Sequence, residues 1–330
     1  MSKTDFDSHH SAAGGCVTVL MPVFNGERYL RCQLDSILNQ DHPCLRILVL
    51  DDCSEDGSFQ IAMAIAGADR RVTVLRNQQN VGLVRSVGKL LENVTTPFFA
   101  LSDQDDIWDS SKLSKSVGAL MSNQAELVYS DVRICDGAGH ILSESYLKSR
   151  RIRPIVGRDP VPFVFRNPAI GHTIVSTQRV AREAANIPKD LRFHESWLVA
   201  VACRFGNVEF VDEPLGSYRA HDRNLVGPKR GPIQRIVQGF SSRQRLRDRE
   251  LTRATGLAAQ ARLQPELREV AASFSACGIR RLTQVHTFGR FVLRYARQIG
   301  IMPALAEVVW FAADGLLPYQ LKSDEPTNAN

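Results

Sequence analysis

The chain has 330 residues, 44% of them hydrophobic and 23% charged, with a formal net charge of +6. That length holds one large or two modest domains, and the composition is that of a chain that buries a core, which excludes low-complexity and collagen-like proteins. Seven cysteines (Cys16, Cys32, Cys44, Cys53, Cys135, Cys203 and Cys277) lie at scattered positions with no C-x-x-C pair, which points to a reducing compartment and away from a disulfide framework or a zinc site. The first fifteen residues, MSKTDFDSHHSAAGG, are polar and small and read as a disordered tail (1–15) with no signal-peptide core. CVTVLMPVF (16–24) is a buried strand ended by the turn signal Asn25-Gly26, and residues 26–40 place Tyr29, Leu30, Leu34, Ile37 and Leu38 at helical spacing. LRILVLDD (45–52) is a second buried strand, followed by a helix with Ser54 as its N-cap. RVTVLRN (71–77) is a third strand, residues 80–94 form a helix entered through Gly82, and PFFALSD (97–103) is a fourth strand. Further on, a helix is expected at 111–123, a strand at 125–136 and a mobile basic, Pro-rich loop at 148–162. A strand at 169–177, a helix from 178, a helix at 194–206 and a strand or hairpin at 207–221 follow.

Alternating strands and helices with continuous apolar strands imply an α/β fold built on a mostly parallel sheet flanked by helices. Ligands of such sheets bind beyond the carboxyl ends of the strands. Asn25-Gly26, Asp51-Asp52 and the run Asp103, Asp105, Asp106 all fall at such ends. Carboxylates this close repel one another unless a cation neutralises them. Mg²⁺ and Mn²⁺ take oxygen ligands, and Mg²⁺ is usually held by one or two carboxylates together with substrate phosphates. The D-x-D-D run therefore reads as a metal and diphosphate site, or as a solvated acidic turn capping the next helix.

Four collinear stretches, VTVLMPVFNGERYLRCQLDSILNQ, ILVLDDCSEDGS, RNQQNVGLVRS and FFALSDQDDIW, resemble the family-two glycosyltransferases of the GT-A fold. The SDQDDIW form is similar to bacterial rhamnosyltransferase and O-antigen glycosyltransferase members. The resemblance covers residues 17 to about 227 and implies a GT-A domain over 16–228, with a nucleotide-sugar half (16–109) and an acceptor half (110–228). It matches Pro22, Phe24 and Glu27 to the first strand and turn beside the nucleotide. Asp52 matches the acid that accepts a hydrogen bond from the pyrimidine base, with Asp51 able to share the role. Asn80 and Gly82 match the turn near the nucleotide, and Arg85 lies in reach of a phosphate. Asp103, Asp105 and Asp106 match the metal-binding D-x-D region, with Asp105 the leading ligand, Asp103 also a donor contact and Asp106 also on the acceptor side.

Inverting transfer needs a base across the sugar from the metal. HESWL (194–198) resembles the H-D-W-W-L stretch whose Asp is that base, which makes Glu195 the candidate. Its extra methylene reaches about 1.5 Å further than Asp, and a helix-capping role is the alternative. YRAH (218–221) resembles a Y-R-x-H stretch in which His221 completes the metal coordination and Arg219 pairs with the diphosphate. Thr173, in the acceptor strand where His172 replaces a Cys, joins the acceptor set, as do Trp108 and Trp197, whose planes either stack on a sugar or pack in the core. From Lys229 to Arg297 the chain carries fourteen Arg and one Lys against four acids, so a basic helical extension (229–330) is expected either to pack on the domain or to lie on an anionic membrane surface. Together these readings imply a metal-dependent (Mg²⁺ or Mn²⁺) inverting glycosyltransferase. It would move a sugar, rhamnose by the SDQDDIW form, from a nucleotide-diphosphate donor to a saccharide or lipid-linked saccharide in cell-surface polysaccharide synthesis. A nucleotide-sugar-binding module that has lost catalysis is the alternative. No nucleic-acid partner is expected, and the expected location is cytoplasmic with peripheral contact to the inner membrane.

Overall fold

A computed structural model describes residues 15–188, 191, 193–221, 294 and 297. The expected tail (residues 1–14) and the basic extension, apart from the helical and exposed Arg294 and Arg297, lie outside the described residues. The first half alternates as the sequence pattern implies: β1 (Val17–Val23), α1 (Glu27–Leu38), β2 (Leu45–Asp51), α2 (Ser58–Ala68), β3 (Val72–Arg76), α3 (Leu83–Glu92) and β4 (Phe98–Leu101). These four strands are parallel, in the order β3-β2-β1-β4. The second half adds β5 (Ile107–Trp108), α4 (Lys112–Ser122), β6 (Ala125–Cys135), β7 (Ile141–Ser143), α5 (Tyr146–Arg150) and α6 (Val161–Phe165). A 3₁₀ turn (Gly171–Thr173), β8 (Ile174–Thr177), α7 (Gln178–Ala184), α8 (His194–Phe205) and β9 (Asn207–Arg219) complete it. The sheet continues through β8-β6-β9-β5, with β8 antiparallel to β4 and β6, and β9 parallel to β6.

The period-two alternation of β1 divides the core between the two faces of the sheet. Val17, Val19, Met21 and Val23 pack with Leu30, Leu34 and Ile37 of α1 and Leu113, Val117 and Leu120 of α4. Leu20 turns the other way and packs with Leu48, Leu50, Val87, Leu90, Leu91 and Leu198. Each such fully buried side chain contributes about 1.5–3 kcal/mol, which fixes the strand ends on which the site is built.

Several expectations are corrected. Helix α2 begins at Ser58, not at Ser54. The Ser54 hydroxyl accepts from the Asn25 N–H (3.0 Å) and ties the two strand-end loops together. Of the two readings of 207–221, strand or hairpin, the strand is the one found: residues 207–219 form one long strand, because β6 offers a parallel partner along its length. The basic segment after residue 145 is not a free loop. It carries α5 and is held to the body through Asp131, Tyr129 and Arg166. A disulfide joins Cys16 and Cys44, whose Cα atoms are 4.7 Å apart. Val17 pairs with Leu45 in the β1–β2 register, so the residues just before the two strands also meet, a neighbourhood that cysteine spacing alone does not reveal.

Candidate functional site

The acid run follows β4 and is held from three directions. The Ser102 N–H donates to the Leu20 carbonyl (3.0 Å), and its hydroxyl accepts from Gln33 Nε2 (2.8 Å). The Gln104 side-chain amide clasps the backbone of Phe24: its Oε1 accepts from the Phe24 N–H (2.9 Å) and its Nε2 donates to the Phe24 carbonyl (3.0 Å). A Cβ on Gly26 would collide with that amide, so the Asn25-Gly26 turn is also the slot for Gln104. Arg219 supplies the third tie. Its N–H donates to Asp106 Oδ1 (3.1 Å) and its Nε to the Asp105 carbonyl (2.9 Å), with the guanidinium 4.6 Å from the Tyr29 ring centroid. Arg219, 4% exposed, thus positions the acid loop, a different role from the diphosphate contact that the resemblance implied.

Two acid–histidine groups result. His172 Nδ1 lies 3.0 Å from Asp103 Oδ2 and 3.2 Å from Asp106 Oδ2. Ligand atoms of Asp103, Asp106 and His172 all fall within 4.8 Å of one another. Asp105 Oδ2 is 2.8 Å from His221 Nε2, and the His221 ring stacks on Tyr29 (5.2 Å). The sequence places Asp106 in the metal-binding run as well as on the acceptor side, and gives no sign of His172 as a ligand. The structure places both in the metal-competent cluster, with the Asp105–His221 pair beside it. Strand register explains His172: Ala100 pairs with Val175 across antiparallel β4 and β8, and continuing that register three positions sets 103 opposite 172.

The acids and the imidazole shift one another's proton affinity. Burial pushes the Asp106 carboxyl up to about 7, with Asp103 and Asp105 adding to the effect and His172 opposing it. Burial and the neighbouring Asp103 charge likewise raise Asp105, against the hydrogen bond from His221. Burial alone would raise Asp103, but the hydrogen bond and charge of His172 leave it lowered. Burial disfavours a charged His172, yet Asp106 and Asp103 outweigh it and raise the imidazole. Asp106 Oδ2 and His172 Nε2 are buried with no hydrogen-bond partner among the described residues. Two carboxylates crowded on one imidazole nitrogen, with Asp106 Oδ2 making no hydrogen bond beyond that ion contact, fit a hard divalent ion. Lys112 lies beneath, fully buried, donating to the His172 carbonyl (2.8 Å) and lying 4.6 Å from the Trp108 ring centroid. Burial lowers its ammonium to about 8.

Beyond β2, Asp52 is buried and both of its oxygens are engaged. Oδ1 accepts from Asn77 Nδ2 (2.7 Å) and the Val81 N–H (2.9 Å), and Oδ2 from the Gly82 N–H (2.8 Å). Gly82 adopts φ +86°, ψ 159°, a conformation essentially confined to glycine. Asn80 Oδ1 also accepts from the Gly82 N–H (3.1 Å). Asp51 is buried against Arg76 Nε (3.1 Å). The strand-end acids therefore shape the loop from β3 to α3, and Arg85 is exposed at its edge.

The opposite wall comes from α8 and its neighbours. Glu195 lies at the start of α8, 3.6 Å from His194 Nδ1. Burial raises its carboxyl, with the His194 charge opposing and Asp103 adding a smaller upward push. Tyr218 stacks parallel on His172 (5.6 Å, 8°), and Tyr146 meets Tyr218 edge-on (6.2 Å). Neither tyrosine was assigned a role from the sequence, because only the folded sheet brings them to this wall.

Other sequence-predicted residues are used for packing and capping. Glu27 Oε2 accepts from the Gly57 N–H (3.0 Å) at the start of α2. Pro22 sits within β1, opposite Leu50, and Phe24 is 44% exposed beyond it. Trp108 is buried in the core. Trp197 is 7% exposed, and its indole N–H donates to the Ala184 carbonyl (3.1 Å). The Thr173 hydroxyl, also buried, donates to the Ile170 carbonyl (2.7 Å). As placed, none of the last three presents an open surface to an acceptor, since the second half of the sheet folds each against its neighbours.

The Glycosyl transferase family 2 model matches residues 18–172, from β1 to the turn that carries His172. Residues 18–172 are a glycosyl transferase family 2 domain. Glu195 and His221 lie beyond the matched span of this domain. The E. coli glucosyltransferase WfgD, named as a UDP-Glc:alpha-D-GlcNAc-diphosphoundecaprenol beta-1,3-glucosyltransferase, is 28% identical over 119 residues, 36% of this chain and 46% of WfgD. Among solved structures, S. aureus TarS 1–349 in complex with UDP-GlcNAc superposes with a TM-score of 0.55 at 14% identity, over 91% of this chain and 90% of that one. The Pyrobaculum calidifontis mannosyltransferase PcManGT, in complex with GDP-Man and Mn²⁺, gives 0.50 at 16% identity over 92% and 87%. The shared fold is the GT-A fold. The matches span 42%, 65% and 50% of the length of the first three curated relatives.

Proposed function

We propose that this chain is a metal-dependent, inverting glycosyltransferase. It transfers a sugar from a nucleotide-diphosphate donor to a saccharide acceptor in cell-surface polysaccharide synthesis. The observation that carries the reading is the convergence of Asp103, Asp106 and His172 at the carboxyl end of β4, within a family 2 domain. The relatives' names support the donor and pathway classes: TarS and PcManGT are described with nucleotide sugars, and WfgD acts on a lipid-linked saccharide. Rhamnose as the sugar rests on the SDQDDIW form alone.

Asp103, Asp106 and His172 would hold a Mg²⁺ or Mn²⁺ ion, with Asp105 and His221 beside it. Such an ion supplies charge neutralisation for the departing diphosphate. The chain's own residues do the rest. Asn80, Gly82 and Asp52 shape the nucleotide loop, and Arg219 and Gln104 hold the acid run in place. Glu195, with its raised pKa, takes the proton from the acceptor hydroxyl as that oxygen attacks the anomeric carbon. Glu195→Gln should leave donor affinity unchanged and lower turnover by about 10²–10⁴-fold. Equal losses of both would assign Glu195 to the helix cap instead. A wild-type chain that binds donor with Mn²⁺ and yields no product with any acceptor would be a binding module.

A further inference from the structure

Between Glu144 and Asp159 the chain carries Lys148, Arg150, Arg151, Arg153 and Arg158 and no acid. Lys148, Arg151 and Arg153 are exposed and Arg150 is half-buried. Among the described residues these four make no salt bridge. A run of uncompensated cations on a surface is ordinary when its backbone is loose, but this backbone is fixed. Arg166 donates to the carbonyls of Arg150 (3.1 Å) and Arg151 (2.7 Å). The Tyr129 hydroxyl, buried in the core, accepts from the Ile155 N–H (2.8 Å) and donates to its carbonyl (2.9 Å). Asp131 accepts from the Leu147 N–H (3.1 Å). The guanidinium of Arg158 reaches the carbonyls of Cys203 and Arg204 at the end of α8.

The segment also joins the site. From the acid cluster outward, His172 stacks on Tyr218, Tyr218 meets Tyr146, and the Arg150 guanidinium lies 5.5 Å from the Tyr146 ring centroid. A line of ring contacts thus runs from the acid cluster to the Arg150 guanidinium, on a segment whose backbone is held in place. Arginine forks match phosphate oxygens in a two-point geometry. On either side of residues 146–153 in the chain, apolar side chains are exposed: Ile141 (43%) and Leu142 (64%) of β7 before it and Val156 (55%) after it. Cations on a held backbone, flanked in the chain by exposed aliphatic residues, suit an anion that carries a hydrocarbon chain.

We propose that residues 146–153 form an acceptor subsite for an amphiphile bearing a phosphate or diphosphate group. Arg150, Arg151 and Arg153, with Lys148, hold the anion, and Tyr146 lies between it and the acid cluster. The subsite is separate from the donor diphosphate site at Asp103 and Asp106, and its assignment as an acceptor site rests on the glycosyl-transfer reading.

Farnesyl diphosphate serves as the probe, titrated into the full chain in EDTA so that the metal site is empty. Arg150→Ala/Arg153→Ala should weaken its binding at least about tenfold, while UDP binding with Mn²⁺ stays within about twofold of wild type. Lys148→Ala/Arg153→Ala, which alters only exposed side chains, is the second variant should the first fail to fold. Unchanged farnesyl diphosphate affinity in the variants would overturn the proposal. Inorganic pyrophosphate should bind more weakly than the farnesyl compound, and equal affinity would mean that a free anion is the ligand. Phosphatidylcholine vesicles with and without phosphatidylglycerol form the last arm. Binding to the anionic vesicles, with none to farnesyl diphosphate, would replace the subsite by a membrane contact. Loss of UDP binding in the wild type, with the farnesyl response retained, would instead count against the glycosyl-transfer reading.

Discussion

Glu195 and Trp197 are two positions apart on α8 and illustrate how differently single residues read from sequence. Both were matched to the same stretch. The fold leaves the Glu195 carboxyl electrostatically linked to the acid cluster and seals Trp197 in the core, its N–H on the Ala184 carbonyl. A buried carboxyl with a raised pKa must lose its proton before it can act as a base. Turnover should therefore rise with pH along an acid limb set above the ordinary glutamate value of about 4.3. That limb should vanish from the residual rate of Glu195→Gln, and an unchanged profile in the variant would assign the limb to another group. Trp197→Phe should cost about 0.5–1.5 kcal/mol for the lost hydrogen bond, seen as a lower Tm, with acceptor KM unchanged. A raised KM with unchanged Tm would restore Trp197 to the acceptor site. The acids were legible because like charges at a strand end demand a reason. His172 was not, since its place beside Asp103 depends on the pairing of β4 with β8.

At the scale of elements, most of the helices and strands follow from apolar periodicity and turn residues alone. What periodicity omits are the short pieces that shape the cleft: β5, α5 and the 3₁₀ turn before β8, each of five residues or fewer. Pieces that short carry too little pattern and are set by tertiary contacts. The loop from β3 to α3 was read correctly as a turn, but its control by the Asp52 carboxylate required coordinates. Gly82→Ala tests that control. An alanine at φ +86° should cost about 1–3 kcal/mol and loosen the two N–H donors on Asp52. Tm and nucleotide affinity should both fall, and no change in either would mean that the loop tolerates another backbone.

Over the described residues, two core layers clamp a single sheet, and the acid–histidine cluster sits where the parallel strands meet their first antiparallel neighbour, between β4 and β8. Among the described residues no helix is long and apolar enough to cross a membrane. The Cys16–Cys44 bridge ties the starts of β1 and β2 across 28 residues, a loop whose closure contributes roughly 3–4 kcal/mol in the chain-entropy account. Reduction, or Cys16→Ser, should therefore lower Tm by several degrees, and identical melting with and without reductant would contradict the bridge. The pattern of alternating elements announced this architecture, whereas the bridge depended on register. The account stands on the acid–histidine cluster as the seat of a cation that carries the donor diphosphate. The most direct measurement is calorimetric titration of UDP-, dTDP- and GDP-sugars into the full chain with Mn²⁺, repeated in EDTA and with Asp103→Asn. One donor should bind with Mn²⁺ and lose at least about tenfold in affinity in EDTA and in the variant. Binding of equal strength under all three conditions would contradict it.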